Sequence, residues 1–127
     1  MIGNFGKARE KGYRRSMQIE INEATGIVSF IFAGRLDAVT SEEAETDMQK
    51  AITKGGRYLY NLASLDYISS AGLRVLLAST KEIQRNEGRF VMCAPNENVR
   101  HILEISGFAS IFHLVETLEE GRQQLGE

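Results

Sequence analysis

The order in which strand-like and helix-like stretches follow one another constrains this 127-residue chain more than any other feature. Met17, Ile19 and Ile21 are apolar at every second position, as in a strand with one buried face, and the Asn, Thr and Gly of 22–26 mark a turn. Ile27–Ala33 reads as a second strand, denser in β-branched and aromatic residues, so the two predict an antiparallel hairpin. Gly34–Val39 is expected to be a loop. Thr40 or Ser41 then caps a helix with Glu42, Glu43 and Glu45 in its first turn, where acids complement the helix dipole. That helix should run to about Lys54, with Ala44, Met48, Ala51 and Ile52 inward, and stop at Gly55-Gly56.

Arg57–Leu62 reads as a short strand and Ala63–Ile68 as a connecting loop. In Asp66–Gly88, two serines stand at a loop-to-helix junction ahead of an apolar run closed by Gly88. Leu73, Leu76, Leu77 and Ile83 make its buried stripe, with Thr80 filling the gap, while Arg74, Lys81, Glu82 and Arg85 fall on the other face. Arg89–Ala94 is a continuous apolar strand ended by Pro95, the pattern of a central parallel strand. Asn96 caps a third helix that ends near Ser106-Gly107, Ile111–Val115 is a last strand, and Thr117 caps a final helix. The order ββαβαβαβα predicts an α/β fold: a mixed sheet, with an N-terminal antiparallel hairpin and then parallel strands joined by right-handed crossovers.

Length and composition fit one domain with a real core, 43% hydrophobic and 25% charged. No apolar run approaches the roughly 20 residues of a membrane span. The single cysteine, Cys93, excludes an internal disulfide and fits a reducing compartment, so a cytoplasmic protein is expected. Residues 1–16 carry Lys7, Arg9, Lys11, Arg14 and Arg15 against Glu10, about +4, leaving about −6 for the rest of a chain whose net charge is −2. These residues are expected to be a disordered basic leader, with residues 17–127 as the folded domain. An acidic body argues against nucleic acid as the main partner.

Catalysis is not expected. No G-x-S-x-G elbow places a nucleophile, no Walker-type loop or paired-carboxylate motif occurs, and one Cys with two separated histidines, His101 and His113, does not make a zinc site. Neither a metal nor a cofactor is expected. Cys93 in an apolar strand reads as an inert buried thiol. The informative hydroxyls are Ser69 and Ser70. At least one should cap the helix, and a phosphoryl group at a helix N-terminus is tolerated because amides and dipole favour negative charge there. Asp37 and Asp66 follow strand ends, so their loops can flank the same end of the sheet.

Three segments in order, GRLDAVTSEEAE (Gly34–Glu45), LYNLASLDYISSAGLRVLL (Leu59–Leu77) and FVMCAPNENVRHILEISGF (Phe90–Phe108), resemble a STAS domain, specifically a bacterial anti-sigma factor antagonist, over about Met17–Arg122. The resemblance implies a partner that is both anti-sigma factor and ATP-using serine kinase. The unmodified antagonist would bind it and release sigma factor; phosphorylation of one serine would end the binding, and a PP2C-type phosphatase would restore it. The family motif is Asp-Ser-Ser/Thr-Gly-Leu. Aligned on Gly72-Leu73, it makes Ser70 the phospho-acceptor, with Ser69 in place of the Asp and able to compete as acceptor, and Ala71 in place of the second hydroxyl. The match of GRLD to G-x-L-D makes Asp37 an interface aspartate. Asp37, Asp66, Ser69, Ser70, Gly72 and Arg74 are then the expected docking surface. The alternative is a non-phosphorylated STAS scaffold, such as the small subunit of a lipid-transport ATPase, in which the helix face is a permanent interface and Ser70 merely a cap.

Overall fold

The computed structural model describes residues 17–127; the expected leader, 1–16, lies outside the described residues. Strands β1 (Met17–Ala24), β2 (Ile27–Leu36), β3 (Arg57–Ile68), β4 (Arg89–Cys93) and β5 (Leu114–Val115) form one five-stranded sheet in the order β1-β2-β3-β4-β5. The first pair is antiparallel and the others are parallel, as the element order predicts. Helices α1 (Ala38–Ala51), α2 (Ser70–Arg85) and α3 (Glu97–Ile105) are the crossovers, and α4 (Leu118–Gln124) follows β5. Because the parallel strands are added in one direction, right-handed crossovers carry α1, α2 and α3 to the same face.

That face holds the main core. Phe30, Phe32, Tyr58, Tyr60 and Met92 point into it from the strands, meeting Ala44 and Met48, then Leu73, Val75, Leu76 and Ile83, then Val99 and Leu103 from the helices. Aromatic rings run across the sheet, with Phe30 and Tyr58 stacked at 5.7 Å and Phe32 and Tyr60 at 6.3 Å. Tyr60 buries its hydroxyl against Ser79 Oγ at 2.6 Å, which satisfies a polar group that burial would otherwise penalise. On the opposite face a smaller cluster, Ile27, Leu59, Val91, Cys93 and Leu125, packs with Leu118 and Val115.

Several boundaries differ from expectation, each for a local reason. Gly34–Leu36 is strand rather than loop, and α1 is capped by Asp37, not by Thr40 or Ser41. The Asp37 side chain accepts from the backbone of Val39 and Thr40, and Thr40 Oγ1 accepts in return from the Asp37 N–H at 3.0 Å. This capping box starts the helix early, so Glu42, Glu43 and Glu45 fall beyond its first turn. The helix ends at Ala51, short of Lys54. Ala63–Ile68 is not a loop: β3 runs on to Ile68 through register shifts opposite β2, between Ile31 and Ala33 and between Gly34 and Arg35. The irregularities space its buried residues as Leu62, Leu65, Ile68, which hides the period of two. After α2, Glu87 takes the left-handed conformation (φ 62°), ahead of Gly88. Of the expected strand Ile111–Val115 only Leu114–Val115 pairs, because a 3₁₀ turn at Phe108–Ser110 drops Phe112 into the core. Asn96 and Thr117 cap α3 and α4 as read.

Candidate functional site

Three helices begin at the C-terminal edge of the parallel strands. Parallel crossovers force this, since each strand must hand the chain to its helix at that end. Leu36 pairs with Ile68 as the last step of the β2–β3 ladder, and the Ser69 N–H donates to the Leu36 carbonyl at 3.0 Å. The caps of α1 and α2, Asp37 and Ser69, therefore stand beside each other.

At Asp37 the carboxylate is held from several sides. Its Oδ1 accepts from the Val39 N–H at 3.0 Å and the Thr40 N–H at 3.2 Å, and its Oδ2 pairs with Arg35 Nε at 3.3 Å. Burial alone would raise its pKa; the bonds from Thr40, Arg35 and Val39 outweigh that and hold the carboxyl below its usual value. Arg35 also lies 4.4 Å above the Tyr67 ring, its cross-strand neighbour, a cation–π contact that fixes the guanidinium at the edge. Reading the sequence passed over Arg35. The available signal was its spacing of two from Asp37, which puts both on one side of an extended chain.

Ser69 is the N-cap of α2: its hydroxyl accepts from the Gly72 N–H at 3.3 Å. Ser70, the first helical residue, is exposed and takes no part in that cap. Arg74 is exposed four residues on, one helical turn below Ser70 on the same face. Gly72 is buried rather than presented. A Cβ on it would stand 2.5 Å from the Leu36 carbonyl oxygen and 2.8 Å from Ile68 Cγ1, so glycine lets α2 sit directly on the end of β2. Asp66 is exposed in the irregular end of β3, on the α3 side: Asn98 Nδ2 donates to its carbonyl at 3.1 Å, and Asn96 Nδ2 to that of Leu65 at 3.0 Å. The edge thus gathers Arg35, Asp37, Ser69, Ser70, Arg74 and Asp66, with Gly72 beneath them. Val39, 78% exposed in the first turn of α1, adds an exposed apolar side chain next to the Asp37 cap that the sequence did not single out.

The STAS domain family profile matches residues 18–121. The chain belongs to the STAS domain family. Its relatives include a candidate anti-sigma factor antagonist, BtrV of Bordetella bronchiseptica, 35% identical over 81% of this chain and 90% of that protein. The anti-sigma F factor antagonist of Paenibacillus polymyxa is 30% identical over 76% of this chain and 84% of that one. An anti-sigma factor antagonist from Mycobacterium paratuberculosis has the same fold, with a TM-score of 0.80 at 19% identity, covering 88% of this STAS domain chain and 96% of its own. SpoIIAA in its unphosphorylated form superposes with a TM-score of 0.72 at 22% identity, over 84% and 95% of the two chains. In its phosphorylated form the values are 0.64 and 21%, over 84% and 98%. The fold also occurs in a sulfate transporter family protein from Wolinella succinogenes, with a TM-score of 0.70 at 8% identity, over 82% and 88%. Among the described residues of this STAS domain no helix is long and apolar enough to cross a membrane.

Proposed function

We propose that this protein is an anti-sigma factor antagonist whose partner is at once anti-sigma factor and ATP-using serine kinase, and that the edge bearing Asp37, Asp66, Ser69, Ser70 and Arg74 is where the two meet in the cytoplasm. Unmodified, it binds the partner and frees sigma factor. Transfer of the γ-phosphoryl group from ATP to Ser70 Oγ, with loss of the hydroxyl proton and release of ADP, ends the binding; a PP2C-type phosphatase hydrolyses the phosphoester and restores it.

One observation carries the choice of acceptor: Ser69 is engaged as the cap of α2, while Ser70 is exposed beside it and free of that task. Ser69 stands where the family motif has Asp, and a serine there caps the helix as an aspartate would. A phosphate on Ser70 sits at a helix N-terminus, one turn from Arg74, where the fold accepts negative charge. Against an acidic partner surface the same charge is repulsive. Like charges about 4 Å apart cost roughly 4 kcal/mol at an effective dielectric near 20. A third of that is already a tenfold change in affinity, at about 1.4 kcal/mol per decade. The relatives at 30% identity and above carry antagonist names, which favours this reading over a transporter scaffold.

The test is incubation with the partner kinase and ATP, then phosphopeptide mapping, with binding measured for Ser70→Ala and Ser70→Asp. The expected result is label at Ser70, binding kept by Ser70→Ala and lost by Ser70→Asp. No label at Ser70, together with full binding by Ser70→Asp, sinks the proposal.

A further inference from the structure

The edge of β4 that faces β5 is only half paired. The Met92 N–H donates to the His113 carbonyl at 2.7 Å and the Ala94 N–H to that of Val115 at 3.1 Å, whereas the Arg89 N–H turns the other way, to the Gly56 carbonyl at 2.9 Å. Backbone groups alternate between the two sides of a strand, so the N–H and C=O of Phe90 point with those of Met92, toward β5. β5 does not extend that far: its ladder holds only Met92 with Leu114 and Cys93 with Val115. The 3₁₀ turn commits the Phe112 N–H to the Phe108 carbonyl at 2.8 Å, which keeps that amide from β4. Among the described residues neither the N–H nor the C=O of Phe90 has a hydrogen-bond partner.

Phe90 lines a cavity of about 410 Å³, within the usual size range of a ligand site. One unpaired donor and one unpaired acceptor on the same strand residue are the complement of an extended peptide, which offers both; a simple anion would satisfy the donor alone. The charge of the cavity narrows the peptide further. Arg89 and His113 line it with Gln84 and Gln124, and among the described residues no carboxylate does. Arg89 donates to the Gln124 carbonyl, which holds the guanidinium at the rim with other N–H donors left to offer. Ile111, 57% exposed at the same rim, is an apolar seat for an aliphatic side chain.

We propose that this notch takes a short extended segment of a partner protein, one carrying Asp or Glu, which continues the line of β5 along β4. Its backbone bonds the N–H and C=O of Phe90, and its carboxylate meets Arg89 and His113. Gln84, on the rim, lies fourteen residues beyond Ser70 along α2, about 21 Å away. That is more than two Debye lengths of about 8 Å at physiological salt. The notch and the Ser70 edge are therefore at opposite ends of the domain, and the segment binds whether or not Ser70 is modified.

The test titrates the ¹⁵N-labelled full chain with three probes: the end-blocked pentapeptide Val-Glu-Val-Glu-Val, its counterpart Val-Lys-Val-Lys-Val, and N-acetylglutamate. The Glu peptide should move the Phe90 amide proton downfield and slow its exchange with solvent. The same sequence with its three central amides N-methylated should not bind. Arg89→Gln should weaken the Glu peptide about tenfold, the loss of one charge-assisted bond. Because Arg89 also holds Gln124, a second variant is made at an exposed side chain: His113→Glu should turn the preference from the Glu peptide toward the Lys peptide. Ser70→Asp should bind the Glu peptide within about twofold of the parent. An unmoved Phe90 amide at saturating peptide, or equal affinity for the Lys peptide, overturns the proposal. So does N-acetylglutamate binding as tightly as the peptide, since the notch would then read an anion and not a strand. A larger effect of Ser70→Asp overturns the independence of the two ends.

Discussion

Gly72→Ala tests whether the edge is assembled by direct contact between α2 and the end of β2. Alanine in place of glycine within a helix gains about 1 kcal/mol of propensity, so on helix grounds alone the variant should be more stable. Against this, the new Cβ would lie 2.5 Å from a backbone oxygen, that of Leu36, and 2.9 Å from Leu36 Cγ, neither of them a flexible side-chain end. Overpacking of this kind costs about 1–3 kcal/mol. The displacement also stretches the Ser69 N–H···O=C Leu36 bond, worth about 1 kcal/mol net. The overpacking and the stretched bond outweigh the propensity gain, leaving a destabilisation of about 2 kcal/mol. In urea, with a slope of about 1–3 kcal/mol/M for a small domain, the midpoint should fall by roughly 1 M with the slope unchanged. Partner affinity should fall as well, since the caps of α1 and α2 move apart. A midpoint equal to or above that of the parent refutes the packing argument and leaves Gly72 as a helix residue like any other.

Ser41 Oγ is buried with no hydrogen-bond partner, so Ser41→Ala should be neutral or raise the urea midpoint, because it removes a desolvated hydroxyl without opening a cavity larger than one oxygen. Cys93 is buried, and desolvation pushes its thiol up to about 11, so a thiol reagent at pH 8 should label it only as fast as the protein unfolds. Asp37 has a lowered pKa in the fold; its carboxylate therefore contributes stability that is complete above the unfolded value of about 4 and is lost as pH falls from there through the folded value. Asp37→Asn should flatten that acid limb when stability is measured by denaturation between pH 5 and pH 2.5.

The order of elements was legible because it depends on local pattern: alternation in β1, the apolar stripe of α2, and caps at Asn96 and Thr117 that are read within one turn. What escaped depended on partners distant in sequence. The sequence pattern ends β3 at Leu62 because the register shifts against β2 break the alternation that marks a strand. The sequence places Asp37 in a loop because its capping partner is Thr40, whereas the run Glu42, Glu43, Glu45 points to a helix start at Thr40 or Ser41. Its role as an edge aspartate came from the resemblance, and its role as a cap only from the structure. Arg35 became visible once β2–β3 pairing set it over Tyr67. Gly72 looked like part of a docking motif; only the approach of Leu36 shows why no side chain fits there.

Adjacent serines at one helix start give the sharpest separation of fold from switch. Ser69 satisfies an amide that the helix itself cannot, so Ser69→Ala should cost about 1 kcal/mol. Ser70 is exposed and outside that cap, so Ser70→Ala should stay within about 0.5 kcal/mol of the parent, the range of ordinary surface changes. Ser70→Asp should be no worse, because a negative charge in the first turn of a helix is favourable by about 0.3–1 kcal/mol. Partner binding should show the reverse ranking, lost in Ser70→Asp and kept in Ser69→Ala wherever the domain remains folded. If denaturation instead ranks Ser70→Ala as the costlier change, the cap has been assigned to the wrong serine, and Ser69 becomes the hydroxyl left available to a kinase.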